Sequence, residues 1–229
     1  MVTNLNGFIV LADHDGTIGK TNTVKHDCLD EFCTKEFGVI PTSSLLPTDI
    51  HLRMHGRPMR EIFVVIAKEI YGKKITLDEG QEITLKLNKY IRPEYVSRPA
   101  YPGAKEFFLE LKKIGLPLYI LTGMEEDLVN ECLENNGLRE IFDDVLGAPK
   151  TKEQNIEEIL KKHPGSRILA LGDALAEYKA TMAIEGTIFL AVDFENREAR
   201  GKRVFSADVN VLTSYGQEMW DEINRQLTL

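Results

Sequence analysis

An apolar run near the start of the chain, Phe8-Ile9-Val10-Leu11-Ala12, ends abruptly in Asp13-His14-Asp15-Gly16-Thr17. Consecutive apolar residues without polar alternation fit a strand covered on both faces, as in a parallel sheet packed between helices. Such a strand delivers the residues after it to the carboxyl edge of the sheet, where open α/β folds place their ligand crevice. Here that edge receives a pair of carboxylates two residues apart, and like charges crowded at the mouth of a sheet are costly. A cation and a phosphoryl group at that edge would offset the cost. A side-chain turn that merely ends an edge strand is the simpler alternative.

The rest of the chain narrows the choice. Apolar runs at Leu118-Leu121, Asp144-Leu146, Ile168-Leu171 and Ile188-Val192 read as further strands. Between them, Phe107, Phe108, Leu111 and Ile114 recur at helical spacing, as do Val129, Cys132 and Leu133 ahead of Gly137, and Ile156, Ile159 and Leu160 ahead of His163-Pro164-Gly165. Alternating strands and helices from residue 101 onward predict an open α/β sheet. Residues 19–100 break that rhythm with helical patterns at Leu29, Phe32, Cys33 and Phe37, at Ile62, Phe63, Ile66, Ala67 and Ile70, and at Ile83, Leu85, Leu87 and Tyr90. The block is too long for a loop and reads as an inserted helical cap, with hinges at 17–23 and 96–102. At the C-terminal end, 193–203 reads as a charged loop or short helix, and 215–227 as a closing helix in which Met219, Ile223 and Trp220 pack on the core.

A net charge of -8 over 229 residues, with no dense basic stripe, excludes a nucleic-acid polymer as partner. A small phosphorylated metabolite needs only a local positive pocket, much of which a divalent ion supplies. Cys28, Cys33 and Cys132 are odd in number and lack metal-ligand spacing, which suits thiols of a reduced compartment. The sequence shows no basic segment leading into a longer apolar run and no stretch of membrane-spanning length, so a cytoplasmic protein without a membrane partner, monomer or homodimer, is expected.

The strand ends carry the chemistry. Asp13 can bind Mg2+, a hard ion that prefers oxygen ligands, and can attack phosphorus to form an aspartyl phosphate. Asp15 is placed to protonate the leaving oxygen and then to activate water. Asp13, Asp15 and Asp173 are the candidate metal ligands, Asp173 because it ends the run Ile168-Leu169-Ala170-Leu171-Gly172. Gly16 lets the backbone turn close to phosphate, and Thr17 holds the turn or caps it. Thr122 and Gly123 end another run and offer a hydroxyl and an amide to phosphoryl oxygens; helix capping would also explain them. Lys152 precedes a helix start and can neutralise Asp13 and phosphate together, with Lys150 as its competitor. Glu177 is either a neighbour of the metal through a water or an ordinary helix residue. In the cap, Arg53, His55, Arg57 and Arg60 surround Gly56; Arg53 and Arg57 are the candidate substrate contacts, able to clamp a second anionic group, or else they only solvate the cap.

With these residues in view, the sequence resembles the haloacid dehalogenase-like hydrolase superfamily. Its first motif is matched by Asp13-His14-Asp15-Gly16-Thr17, its second by the run ending in Thr122, its third by Lys152 or Lys150, and its fourth by Gly172-Asp173 with Glu177. Tyr101-Pro102-Gly103-Ala104 before a helix, and Gly137-Leu138 followed by Ile141-Phe142-Asp143, extend the likeness over residues 7–193. The resemblance implies a Rossmann-like parallel sheet with helices on both faces, a catalytic core of residues 1–18 and 101–229, and a helical cap of residues 19–100. It is closest in character to the branch containing phosphoglycolate phosphatases and β-phosphoglucomutases. Implied with it is Mg2+-dependent hydrolysis of phosphomonoesters through an aspartyl phosphate, on a substrate such as phosphoglycolate or a sugar phosphate, with Asp13, Asp15, Thr122 and Lys152 catalytic. A phosphomutase, or a catalytically weak phosphate-binding or regulatory protein, are the alternatives. Glu177 and Ala174 depart from the aspartate and the Ser or Thr that the family often carries, while Asp15 argues against haloacid dehalogenation.

Overall fold

The structure is a computed structural model and describes residues 5–38, 44–54, 57–195 and 204–228. Strand β1 (Phe8–Ala12) is followed by four helices, α1 (Asn22–Phe37), α2 (Pro47–Arg53), α3 (Met59–Glu69) and α4 (Leu77–Ser97). The chain then alternates through α5 (Ala104–Lys113), β2 (Leu118–Glu125), α6 (Glu126–Asn135), β3 (Asp144–Ala148), α7 (Lys152–Lys162), β4 (Arg167–Gly172), α8 (Leu175–Met182), β5 (Ile188–Val192), β6 (Val211–Leu212) and α9 (Gln217–Leu227). All pairings in the sheet are parallel, in the order β3-β2-β1-β4-β5-β6. The chain winds outward from β1 through β2 and β3, then crosses back to β4. The winding direction therefore reverses beside β1, and a crevice opens there at the carboxyl edge.

Alternation within β1 divides the core. Phe8, Val10 and Ala12 face one side with Phe107, Phe108 and Leu111 of α5, Leu128 and Val129 of α6, and Met219 and Ile223 of α9. Ile9 and Leu11 face the other with Ile156 and Ile159 of α7 and Phe189 and Phe205. A strand buried on both faces is continuously apolar, which is the pattern read from the sequence. Trp220 packs against Phe107 with ring centroids 5.0 Å apart.

The insertion is a helical cap of four helices, where the sequence pattern predicted three. Helix α2 has 7 residues and buries only Pro47, Ile50 and His51, too few to raise a periodic signal. The predicted face of the third pattern is corrected. Helix α4 buries Ile83, Leu87, Ile91 and Tyr95 at every fourth position, whereas Leu85 and Tyr90 are exposed. Tertiary contact resolves the period that the sequence left mixed between two and four. Strand β6, of two residues, had no signal of its own. The charged segment 193–203 is described only to Glu195, and His55 and Gly56 also lie outside the described residues.

The two crossings between sheet and cap run side by side. Gly19 bridges Ala100, the Lys20 amide donates to the Pro99 carbonyl at 3.0 Å, and the Tyr101 amide donates to the Ile18 carbonyl at 2.8 Å. Farther out, Arg92 of α4 forms ion pairs with Asp127 and Glu131 of α6.

Helices α3 and α4 meet at Gly80, where a Cβ atom would lie 2.5 Å from the Arg60 carbonyl oxygen. Gly80→Ala must therefore push two helix backbones apart. We expect a loss of about 1–3 kcal/mol, read as a lower urea midpoint with an unchanged slope.

Candidate active site

Sheet register assembles the site. Ala12 pairs with Ile120 of β2 and with Leu171 of β4, so Asp13 emerges between Leu121-Thr122 on one side and Gly172-Asp173 on the other. The Asp13 amide donates to the Leu171 carbonyl at 2.9 Å, continuing the ladder to the nucleophile candidate itself. Helix α7 brings the cation. Thr151 accepts from the Gln154 amide at 3.3 Å, and Gln154 Oε1 accepts from the Thr151 amide at 2.9 Å, closing a capping box with Lys152 as the first helical residue.

Lys152 Nζ lies 2.6 Å from Asp13 Oδ1 and also bonds Glu177 Oε1. Lys150, its sequence competitor, is half exposed and bonds Glu158 Oε1 at 2.7 Å, away from this cluster. Asp13, Asp173 and Glu177 are all buried. Burial pushes the Asp13 carboxyl from 3.8 up to about 8; Lys152 opposes the rise, and Glu177, Asp173 and Asp15 add to it. Lys152 itself is raised: burial works against its charge, and Asp13 and Glu177 more than restore it. At Gly16, with φ 74°, a Cβ would sit 2.3 Å from Asp173 Oδ2 and 2.0 Å from Asn22 Nδ2. Only glycine combines this left-handed backbone with so close an approach. Asn22, the first residue of α1, donates to Asp173 Oδ2 at 2.8 Å.

Asp15 differs from its expected setting. Its Oδ1 accepts from Thr21 Oγ1 at 2.5 Å and from the Tyr95 hydroxyl at 2.6 Å, and its Oδ2 accepts from Lys25 Nζ at 2.7 Å. Burial alone would raise Asp15, yet Lys25, together with His14, holds it well below the ordinary carboxylate range. His14 Nδ1 in turn lies 2.8 Å from the Tyr95 hydroxyl. The Asp15 carboxylate, expected with Asp13 and Asp173 at the metal, is placed toward the cap and its hinge, where both its oxygens accept hydrogen bonds.

The remaining expected positions divide between the crevice and the surface. Thr122 and Gly123 lie inside β2, which continues to Glu125 through a register break after Leu121, so they occupy a bulge and do not end the strand. Thr122 Oγ1 accepts from the Met124 amide at 3.0 Å, and the space above Gly123 is open to 4 Å. Thr17 is buried, its hydroxyl has no partner among the described residues, and its carbonyl accepts from the Tyr215 hydroxyl at 2.8 Å. Arg53 and Arg57 are not brought to the site. Arg53 bonds Glu69 at 2.8 Å and Arg57 pairs with Glu61 at 3.5 Å, both on the exposed side of the cap. The α2–α3 turn that carries them offers nearer carboxylates on α3 than the crevice does. The residues missed in the sequence are Asn22, Lys25 and Tyr95. Tyr95 stands in register with the apolar face of α4, and Lys25 is a lone charge early in α1, so neither had a distinguishing signal.

The donor set suits Mg2+. Among the described residues no group of three or more His, Cys, Asp or Glu side chains forms a ready-made metal cage. Magnesium does not require one, since it is commonly held by one or two carboxylates, waters and substrate phosphate. Asp13 and Asp173 supply buried carboxylates, and Glu177 Oε2 is buried without a hydrogen-bond partner among the described residues, ready for a water. Three buried carboxylic acid groups, two of them in contact with a single ammonium, also favour a divalent cation, which offsets excess negative charge.

The haloacid dehalogenase-like hydrolase family matches residues 9–182 of the chain. No curated protein matches it. Among solved structures, a HAD hydrolase, family IA, variant 3, from Entamoeba histolytica HM-1:IMSS is similar with a TM-score of 0.72 and 19% identity, over 94% of this chain and 99% of that one. CbbY from Rhodobacter sphaeroides, a mutant in complex with xylulose-(1,5)bisphosphate, gives 0.66 and 17% over 94% of this chain and 95% of that one. YfnB, a putative HAD-hydrolase from Bacillus subtilis bound to magnesium, gives 0.64 and 16% over 94% and 98%. At these identities the likeness is one of fold.

A raised carboxyl pKa has a definite sign in stability. Between pH 3.8 and about 8 the folded protein keeps a proton on Asp13 that the unfolded chain releases, so stability falls as pH climbs through that window. Asn at this position cannot ionise. In metal-free protein the urea midpoint of Asp13→Asn should exceed that of the parent by a margin that widens as pH climbs from 3.8 to about 8. A margin independent of pH would contradict the raised value.

Proposed function

The chain belongs to the haloacid dehalogenase-like hydrolase family, and from that premise we propose that it is a Mg2+-dependent phosphomonoester hydrolase working through an aspartyl phosphate on Asp13. The observation that carries this reading is the Lys152 ammonium held 2.6 Å from Asp13 Oδ1 at the carboxyl edge of β1. The ammonium opposes the rise that burial imposes on the Asp13 carboxyl, a bound divalent cation would favour the anionic nucleophile further, and the same positive charge stabilises the developing transition state.

In the first half-reaction an Asp13 oxygen attacks phosphorus, the bond to the leaving oxygen breaks, and Asp15 gives that oxygen its proton. In the second, Asp15 takes a proton from water, the water oxygen attacks the same phosphorus, and the Asp13–phosphorus bond breaks to release inorganic phosphate. Lys152, the Thr122 hydroxyl and the Gly123 amide hold the nonbridging oxygens. Asp13 and Asp173 would hold Mg2+, with Glu177 bonding a water beside it; the cation neutralises charge on the phosphoryl oxygens. Gly16 and Thr17 close the loop around the phosphate.

Residues 19–100 serve as the cap domain over a core of 1–18 and 101–229, and the substrate is a small phosphorylated metabolite such as phosphoglycolate or a sugar phosphate. A crevice roofed by helices suits a small molecule better than a polymer, and the bisphosphate in the CbbY complex belongs to the same chemical class. Among the described residues no helix is long and apolar enough to cross a membrane, and Cys28, Cys33 and Cys132 are free thiols, in keeping with a cytoplasmic enzyme.

Asp13→Asn should abolish Mg2+-dependent phosphate release from a panel of phosphomonoesters, together with the acid-stable phosphoenzyme formed by the parent. Turnover by this variant at the parent's rate would sink the proposal. Lys25 supplies a second test. It disfavours the protonated Asp15 that the first half-reaction needs, so Lys25→Met should raise the Asp15 pKa and extend activity to higher pH for esters with poor leaving groups. For p-nitrophenyl phosphate, whose leaving group needs no proton, Asp15 serves only as the base of the second half-reaction, so the high-pH limb should stay in place and the acid limb should move up with the Asp15 pKa.

A further inference from the structure

Beside the paired crossings lies a cleft of about 560 Å³, a volume within the range of small-molecule sites. Lys20 enters it from the first crossing and Arg98 from the second, while Phe194, Glu195 and Tyr215 come from the segments after β5 and β6. Asp13, Lys152, Asp173 and Glu177 are not among its lining residues. We propose that this cleft binds a nucleoside monophosphate at a site separate from the catalytic centre, and that the bound nucleotide ties the two crossings together.

The chemistry of the walls selects such a ligand. In a chain of net charge -8, the cleft brings together two cations against the single carboxylate of Glu195. Arg98 spends one nitrogen on Glu94 at 2.7 Å, while its Nε is buried without a partner among the described residues. Lys20 sits 5.6 Å from the centre of the Tyr101 ring. A phosphate between these two side chains gains charge-assisted hydrogen bonds from both crossings.

The opposite wall is aromatic. Phe194 packs 4.9 Å from Tyr101 and 4.8 Å from Tyr215, measured between ring centroids, and it is the half-buried member of the three. A planar base can stack on that exposed ring area. Glu195, which accepts from the Tyr101 hydroxyl at 3.1 Å, offers a second oxygen to the hydroxyls of a ribose. A bare sugar phosphate would leave the aromatic wall unused, and a nucleoside would leave the cations unused.

Occupancy has a route to the active site. Tyr215 donates its hydroxyl to the Thr17 carbonyl at 2.8 Å, and Lys20 and Arg98 lie at the two ends of the hinge. A phosphate shared between them opposes separation of the crossings and so slows cap opening. This kinetic consequence rests on the phosphatase reading, whereas binding does not.

The two are tested apart. Binding of AMP is measured by calorimetry on full-length Asp13→Asn protein, which cannot turn over, with adenosine and inorganic phosphate as separate probes. AMP should bind more tightly than either fragment, and Lys20→Ala in that background should weaken it about tenfold, as loss of one charge-assisted contact implies. Phe194→Ala should weaken AMP while leaving inorganic phosphate unchanged. Failure of AMP to bind at millimolar concentration overturns the proposal. So does binding that survives Lys20→Ala but is lost in Lys152→Met, since that would place the nucleotide in the catalytic crevice. In the active enzyme, AMP should lower kcat for p-nitrophenyl phosphate, and Lys20→Ala should remove that effect while basal turnover stays the same. If the parent shows no phosphatase activity at all, the binding result still decides the site.

Discussion

The contact on which the rest of the site depends is the Lys152 ammonium held between Asp13 and Glu177. Each of these groups is buried, and removing charges from water costs several kcal/mol per ion unless partners compensate. Local rules also oppose the lysine. It stands at the first position of α7, where the positive end of the helix dipole disfavours a cation. A residue that contradicts both its helix position and its burial makes sense only through its partners, and conflicts of this kind gather at functional sites. The capping box that fixes the start of α7 fixes this ammonium too. Glu177 on α8 and Asp13 directly after β1 then meet it from two other directions, so three segments converge on one charge.

The second organising contact joins cap to core. Asp15 leaves the end of β1 but bonds Thr21 beside the hinge, Lys25 on α1 and Tyr95 on α4. Asn22 on α1 reaches Asp173 after β4. The loops after two neighbouring strands, β1 and β4, therefore contact the cap through different carboxylates, Asp15 through an ammonium and Asp173 through a neutral donor. A movement of the cap cannot leave the protonation of Asp15 unchanged, because Lys25 travels with the cap. Arg53 at the end of α2 and Arg57 just before α3 take no part in this contact, being paired with the α3 carboxylates Glu69 and Glu61.

The elements legible in the sequence had a periodic or positional signal. Continuous apolar runs marked β1, β4 and β5, and Asp13 and Asp173, ending the first two, could be placed at one edge because strands alternating with helices run parallel. Helical spacing gave α5, α6 and α7. Helix α2 and strand β6 stayed hidden because 7 and 2 residues carry too little periodicity. The extension of β2 past Thr122 was also invisible, since a bulge is held by a partner strand and not by local preference.

The sequence by itself determined the parallel sheet, the interruption by helices after β1 and the chemical types gathered at the strand ends. These arise from side-chain burial along one segment, which local order records. Tertiary structure alone decided which lysine meets Asp13, where the Asp15 carboxylate is held and which cap residues reach it. Lys150 and Lys152 differ by two positions on a helix start, and only the crossing of α7 over the sheet turns one inward to Asp13 and leaves the other on Glu158. Likewise Tyr95 and Asp15 are 80 positions apart, and their contact exists because the two crossings run side by side. Such pairings depend on the relative placement of distant segments, set by packing of the whole core, and no window of sequence contains both partners.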